Sequence, residues 1–251
     1  EECDYIDGVL INKKTKRKIR ALVIVHVFGN MADMEKIMDI AKKYNLKVLE
    51  DATEALGTYY TEGKYKGKYA GTIGDIGVLS FNANKIITTG GGGMVVGDNE
   101  ELVEKVRFLS SQAKKDPLYF IHDEIGYNYR MSDLHGSIAV EQLKKVASFT
   151  KKRQENAHKL DRALMNIQGI TIPTISNNRT HVYHQYTILL DKGIKRDEFI
   201  AGLREKGVGA GIYYPKPLHI YPHIAKLGYK VGDFPVAEDL AARVVSLPVH
   251  P

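Results

Sequence analysis

Three consecutive stretches decide the fold: Ala21-Leu22-Val23-Ile24-Val25-His26-Val27, then Asp33 to Tyr44, then Lys47-Val48-Leu49-Glu50-Asp51. The first is a β-branched apolar run and reads as a buried strand, ended by Gly29-Asn30. In the second, Met34, Ile37, Met38, Ile40 and Ala41 recur at helical spacing with charges on the other face, and Asn45 closes the helix. The third is a second short strand. A strand, a helix and a strand in this order predict a parallel α/β sheet.

The pattern continues outward. Gly57 to Gly74 is rich in Gly, Tyr and Lys and reads as loop; Ile76 to Phe81 and Met94 to Val96 read as strands. Acidic residues at Asp98 to Glu101 open a helix running to about Ser110. Ser132-Asp133 caps another, through Leu143 and Val146. From about Phe149 the texture changes. Lys151 to Leu164 is a long charged helix, Val182 to Leu190 a strand and Arg196 to Lys206 a helix ending at Gly207. An irregular Tyr213 to Pro222 segment, a last helix from Val236 to Val245 and a turn-like tail follow. The expected class is therefore α/β, a mostly parallel central sheet flanked by helices over residues 1–148, with a smaller α+β domain over 149–251. The strands and helix that normally open a doubly wound domain are too few here, so the chain is expected to lack its N-terminal part.

With 251 residues, 43% of them hydrophobic and 26% charged, the composition is that of an ordinary globular protein. No apolar run approaches the ~20 residues of a membrane helix. The single Cys3 excludes an intrachain disulfide framework and a cysteine-based metal cage, and a reducing, cytoplasmic setting is expected. The net charge of +6 resides in Lys13, Lys14, Lys16, Arg17, Lys18 and Arg20. No aromatics interleave with them, so nucleic-acid binding is not expected, and the stretch reads as a solvated loop or hairpin.

Phosphate-loop, zinc-protease and serine-elbow signatures are absent. His181 and His184 sit in a strand-like run, where a spacing of three puts them on opposite faces, and Pro222 interrupts His219 and His223, so no metal site is expected. Asp51 stands at the carboxyl end of an apolar parallel strand, where open α/β sheets bind ligands; a turn or cap role fits the same local sequence. Lys85 follows the Ser80-Phe81 strand end and precedes a Thr-Gly-rich turn, where a solvated lysine is the common alternative. Together, a strand-end acid and a lysine among small residues point to pyridoxal phosphate, which needs a Schiff-base lysine and an acid at its ring nitrogen.

Glu50-Asp51-Ala52-Thr53-Glu54-Ala55-Leu56-Gly57, Gly74-Asp75, Ser80 to Gly93 and Gly126-Tyr127-Asn128-Tyr129-Arg130-Met131 appear in that order. The series resembles the DegT/DnrJ/EryC1/StrS family of pyridoxal phosphate-dependent aminotransferases, which act on nucleotide-linked keto sugars and have the fold of aspartate aminotransferase-like (fold type I) enzymes. The resemblance implies that Lys85 is the Schiff-base lysine and Asp51 the partner of the pyridinium nitrogen. It puts Glu54 near the cofactor ring, where the family often has Gln or His. It implies that Ser80 binds the cofactor phosphate and that Asn128 reaches the phosphate of a neighbouring subunit's site. The Tyr214-Pro215 to His219 segment resembles the family's substrate segment, so Tyr214 and His219 are expected substrate contacts, and His184 is expected to be a further one. The implied reactants are L-glutamate and a nucleotide-linked 4-keto-6-deoxy sugar, in amino-sugar and surface-polysaccharide biosynthesis, and the implied assembly is a homodimer with shared sites. The family's N-terminal phosphate-binding segment and ring-stacking aromatic have no counterpart in the sequence. Family dehydratases carry His where Lys85 stands. A 3-keto sugar acceptor and a non-catalytic α/β binding protein are the alternatives.

Overall fold

The computed structural model describes residues 2–116 and 118–251. They form two compact units: Glu1–Lys151 with Ile175–His184, and Lys152–Thr174 with Gln185–Pro251.

The first unit opens with a small antiparallel sheet of β1 (Cys3–Ile6), β2 (Val9–Asn12) and β3 (Lys18–Ile19). Asp7 and Gly8 join β1 to β2 with φ of 48° and 76°. Two positive angles are what a tight two-residue hairpin turn requires, and Asp-Gly supplies them at low cost. The six-cation stretch forms the next turn, β3 and the residue after it, and all six residues are exposed. The charge is thus spent on a solvated hairpin.

The central sheet follows in the order β4 (Ala21–Val25), β5 (Lys47–Asp51), β6 (Ile76–Ser80) and β7 (Gly93–Val96). The first three are parallel and β7 is antiparallel to β6. Helix α1 (Met34–Lys43) connects β4 to β5, with Asp33 Oδ1 accepting from the Lys36 N–H at its N-terminus. Leu22, Ile24, Val48 and Leu79 face a core built with Met31, Met34, Ala41 and Tyr60. The β4 run differs from its reading as a buried strand: successive residues alternate between partly buried and exposed, and Val23 is 64% exposed. Only one face is covered within the described residues.

The four glycines have a local cause at Gly92, whose φ is +92° and whose missing Cβ would lie 2.8 Å from Met131. Helix α2 (Glu100–Ser110) is capped by Asn99, whose side chain accepts from the Leu102 N–H. A short hairpin of β8 (Lys114–Asp116) and β9 (Ile121–His122) precedes α3 (Asp133–Leu143) and α4 (Val146–Leu164).

The second unit contains an antiparallel sheet of β10 (Ile170–Thr171), β11 (Tyr186–Leu190) and β12 (Val244–Leu247) in that order. With it are α5 (Arg196–Glu205), the single turn α6 (Pro222–Ala225) and α7 (Pro235–Arg243). Two expectations are corrected. The last helix stops at Arg243, because Val244 to Leu247 pair with Leu189 to Tyr186; the β-branched pair Val244-Val245 favours the strand. The strand expected from Val182 begins only at Tyr186. Tyr183 has a positive φ of 49°, which ends extended pairing, and His181 bridges to Asn30 instead. With the Tyr60–Arg179 bridge, this ties residues 175–184 to the first unit.

His181 gives this segment a pH dependence. Burial pushes its imidazole down to about 4, and Nδ1 accepts the Tyr183 N–H at 2.7 Å, a bond a protonated ring loses. Unfolded, the ring titrates near ~6.5. Between these values the unfolded chain binds the extra proton, so stability falls as pH drops from about 6.5 to about 4, by roughly 3 kcal/mol over the window. Glu50, whose carboxyl is held low, adds its loss only below the ordinary carboxylate range. Urea unfolding of wild type at pH 7 and pH 5 should show the decline, and His181→Phe should flatten it. An unchanged slope in the variant would assign the proton to another group.

Candidate active site

The C-terminal ends of β4, β5 and β6 bring the charged groups together, and Glu54 is their centre. β4 ends in a turn through Val27–Gly29, where Phe28 takes a positive φ of 60°. That conformation is costly for a bulky residue, and it aims the Phe28 N–H at Glu54 Oε2, 2.7 Å away. Lys85 Nζ lies 3.8 Å from Glu54 Oε1, and His184 Nε2 lies 3.6 Å from the same oxygen. The His184 side chain is buried, at 1% exposure, while those of Lys85 and Glu54 are 14% and 12% exposed. A carboxylate thus sits between an amine and an imidazole in a pocket largely shielded from water, where their attraction is screened less than at the surface.

Asp51 ends β5 three residues before Glu54, and its Oδ1 accepts from the Thr53 N–H at 3.1 Å. Ser80 ends β6, and its Oγ accepts from the Asn82 N–H at 3.3 Å, leaving the hydroxyl proton available to an anion. Lys85 is held by a looped segment: its N–H bonds to the Asn82 carbonyl, Ile86 and Ile87 are buried, and Thr89 N–H returns to the Phe81 carbonyl. The lysine is placed by two apolar anchors and a closed backbone turn rather than by its own charge.

Beneath these groups lies a pair that sequence reasoning missed. His26 Nε2 is 2.9 Å from Glu50 Oε2, and both side chains are fully buried. The Ala32 N–H donates to His26 Nδ1, so the ring carries its proton on Nε2 and donates it to Glu50. Glu50 also accepts from the N–H groups of Gly71, Ile73 and Gly74. Burial pushes this carboxyl up, but the ring and three backbone donors outweigh it and hold it below the usual range. The chain can lie this close because Gly77 has no Cβ, which would sit 2.0 Å from the Gly71 carbonyl oxygen. His26 also donates its backbone N–H to the Asp51 carbonyl. The buried pair therefore fixes the strand end that presents Asp51 to the opposite face.

Three expected residues are not among the described contacts of this group. Asn128 is exposed, bridges to Ser111 and lines a separate cleft. Tyr214 and His219 belong to the second unit; Tyr214 is exposed, and His219 is buried with Nε2 2.9 Å from Glu238 Oε1.

An amine, two carboxylates and a hydroxyl thus stand at the C-terminal edge of an α/β sheet. Residues 4–251 match the DegT/DnrJ/EryC1/StrS aminotransferase family, and the chain belongs to it. It is 36% identical over 243 residues to the GDP-perosamine synthase of Escherichia coli O157:H7, covering 96% of this chain and 63% of that protein. It is 36% identical over 232 residues to EpsN of Bacillus subtilis, named as a pyridoxal phosphate-dependent aminotransferase, covering 91% and 58%. Among solved structures, DesV of S. venezuelae superposes with a TM-score of 0.84 at 29% identity, covering 92% of this chain and 60% of that one. The chain thus spans less than two thirds of the length of these relatives.

Proposed function

We propose that the protein is a pyridoxal phosphate-dependent aminotransferase that moves an amino group from L-glutamate to a nucleotide-linked keto sugar of the 4-keto-6-deoxy class. It would work in the cytoplasm, in amino-sugar and surface-polysaccharide biosynthesis. The observation that carries this reading is the shielded Lys85–Glu54–His184 group beside Asp51. The residue types fit the cofactor: an amine able to bond an aldehyde carbon, a strand-end carboxylate for a ring nitrogen and a hydroxyl with a free proton for a phosphate.

Pyridoxal phosphate, when bound, supplies an electron sink for the carbanion formed beside the amino group. Asp51, as a carboxylate, keeps a pyridine nitrogen protonated. Lys85 would hold the cofactor through its amine, and the same amine, when free, would move a proton at the carbon beside the amino group. Glu54 holds that amine in place and His184 backs Glu54. Ser80 would donate to the phosphate, and Tyr214 and His219 would meet the sugar nucleotide. The direct test offers isotope-labelled glutamate and a panel of 4-keto and 3-keto nucleotide sugars to the full-length protein. Label in the amino group of a 4-keto acceptor is expected; its absence with every acceptor overturns the reading.

The protein would act as a homodimer in which Asn128 serves the partner's site. The segment from 118 to 143 supports this, since it exposes Leu118, Tyr119, Phe120, Ile125, Tyr129 and Leu134, with Ile125 at 84%. So much exposed apolar surface is unusual on a monomer, and a two-fold interface would cover it on both copies at once. Mixing an inactive Lys85→Ala subunit with an inactive Asn128→Ala subunit is expected to restore activity, because the hybrid keeps one intact site. Hybrids that form without recovery would place Asn128 in its own subunit's site.

A further inference from the structure

His26 uses every polar group it has, and each of them acts near the site. Its backbone N–H donates to the Asp51 carbonyl at 3.0 Å, and its carbonyl accepts the Gly29 N–H at 3.3 Å. Ring Nε2 donates to Glu50 Oε2 at 2.9 Å, and ring Nδ1 accepts the Ala32 N–H at 3.2 Å. The side chains of His26 and Glu50 are fully buried. One residue therefore grips the Glu50-Asp51 dipeptide on one side and two points of the turn from Val27 to Ala32 on the other.

The turn that it holds carries Phe28. A positive φ of 60° persists in a bulky residue only where the surroundings enforce it. Here they do: the Gly29 and Ala32 N–H groups return to His26, the Asn30 N–H bonds to the Val27 carbonyl, and the Gly29 carbonyl accepts the Thr58 hydroxyl at 2.7 Å. The Phe28 N–H consequently meets Glu54 Oε2 at 2.7 Å, while Oε1 faces Lys85 and His184. At the strand end, the Thr53 N–H donates to Asp51 Oδ1. A fully buried carboxylate is a poor device for stability alone, since well-packed apolar side chains often do as well in its place. A His–Glu couple does what an apolar pair cannot: its directed bonds fix a ring and, through the ring, a backbone turn.

We propose that His26 is a positioning residue for both carboxylates of the site. It acts on Asp51 through the strand end and on Glu54 through the Phe28 N–H, with Glu50 locking its ring. That Asp51 and Glu54 serve a bound cofactor rests on the aminotransferase reading; that His26 aims them does not. His26 acts only through these bonds and exchanges no proton with a reactant.

Amide hydrogen exchange, followed by NMR on the full-length protein before cofactor is added, tests the positioning itself. His26→Phe fills the space but offers no ring nitrogen. It should speed exchange of the Phe28 amide about tenfold relative to the amide of buried Ala41 in α1. A general loss of stability would speed both alike. His26→Asn places an acceptor near the Nδ1 position, whereas His26→Gln reaches Glu50 but leaves the Ala32 N–H without its acceptor. Phe28 should therefore stay better protected in the asparagine variant than in the glutamine one, and this comparison decides the matter should His26→Phe not fold. With cofactor and glutamate, His26→Phe should cost about 10²-fold in rate. In a protein already carrying Asp51→Asn and Glu54→Gln it should cost less than about tenfold, because the groups it aims have lost their charge. Equal changes at Phe28 and Ala41, equal protection in the asparagine and glutamine variants, or fully additive rate losses would each overturn the proposal. If the wild type transfers no label from glutamate, the aminotransferase reading falls, and hydrogen exchange alone decides the role of His26.

Discussion

Lys85→Ala is expected to lower aminotransfer by at least about 10³-fold while the protein still folds. In the proposed reading the lysine both holds the cofactor and carries the proton, so its loss would remove two functions at one position. Stability should barely change, because its segment is fixed by Ile86, Ile87 and the Phe81 carbonyl, and Lys85 itself makes only a 3.8 Å ion pair. Turnover with glutamate, measured beside a thermal melt, checks both halves. Near-normal turnover in the variant would remove Lys85 from the chemistry.

Asp51→Asn is expected to cost about 10²–10³-fold in rate, and Glu54→Gln distinctly less. Asparagine keeps the size of the side chain and the Thr53 contact but loses the charge that, in the proposed reading, would keep a ring nitrogen protonated. Glu54 acts on the amine from the side, and a glutamine can still accept the Phe28 N–H. The comparison of the two rates carries the information: equal, mild losses would deny Asp51 its role as charge partner.

The central unit of the fold was legible because local and tertiary preferences agree there. The β-branched run at 21–25, the amphipathic 34–43 and the short strand at 47–51 each carry one clear period. The N-terminal hairpin was legible too but went unread beyond its charges, although Asp7-Gly8 between two strand-length segments is the common signal for that turn. Residues 175–184 were not legible in this way. Their place beside the first unit depends on pairings of Tyr60 with Arg179 and of Asn30 with His181, across more than a hundred residues, and no local period encodes them.

The site divides similarly. Asp51 and Lys85 stood out as candidates because each lies at or just after a strand end, whereas Ser80 entered only through the family resemblance. Glu50 and His26 were missed although they leave a trace. Glu50 shares the face of Val48, and His26 follows Ile24 at strand spacing, so two polar residues stand on the apolar side of neighbouring strands. A pair of that kind is a sequence-level mark of a buried hydrogen-bonded couple. The convergence of His184 on Glu54 had no such trace, because it depends on the return of the 175–184 segment.

The most direct measurement of the central claim is covalent. The full-length protein is incubated with pyridoxal phosphate, reduced with borohydride, digested and mapped by peptide mass. The account predicts a yellow protein that bleaches on reduction and carries the cofactor's mass on the peptide containing Lys85, with the label gone in Lys85→Ala. A label on another lysine, or a protein that stays colourless and unlabelled, would contradict it.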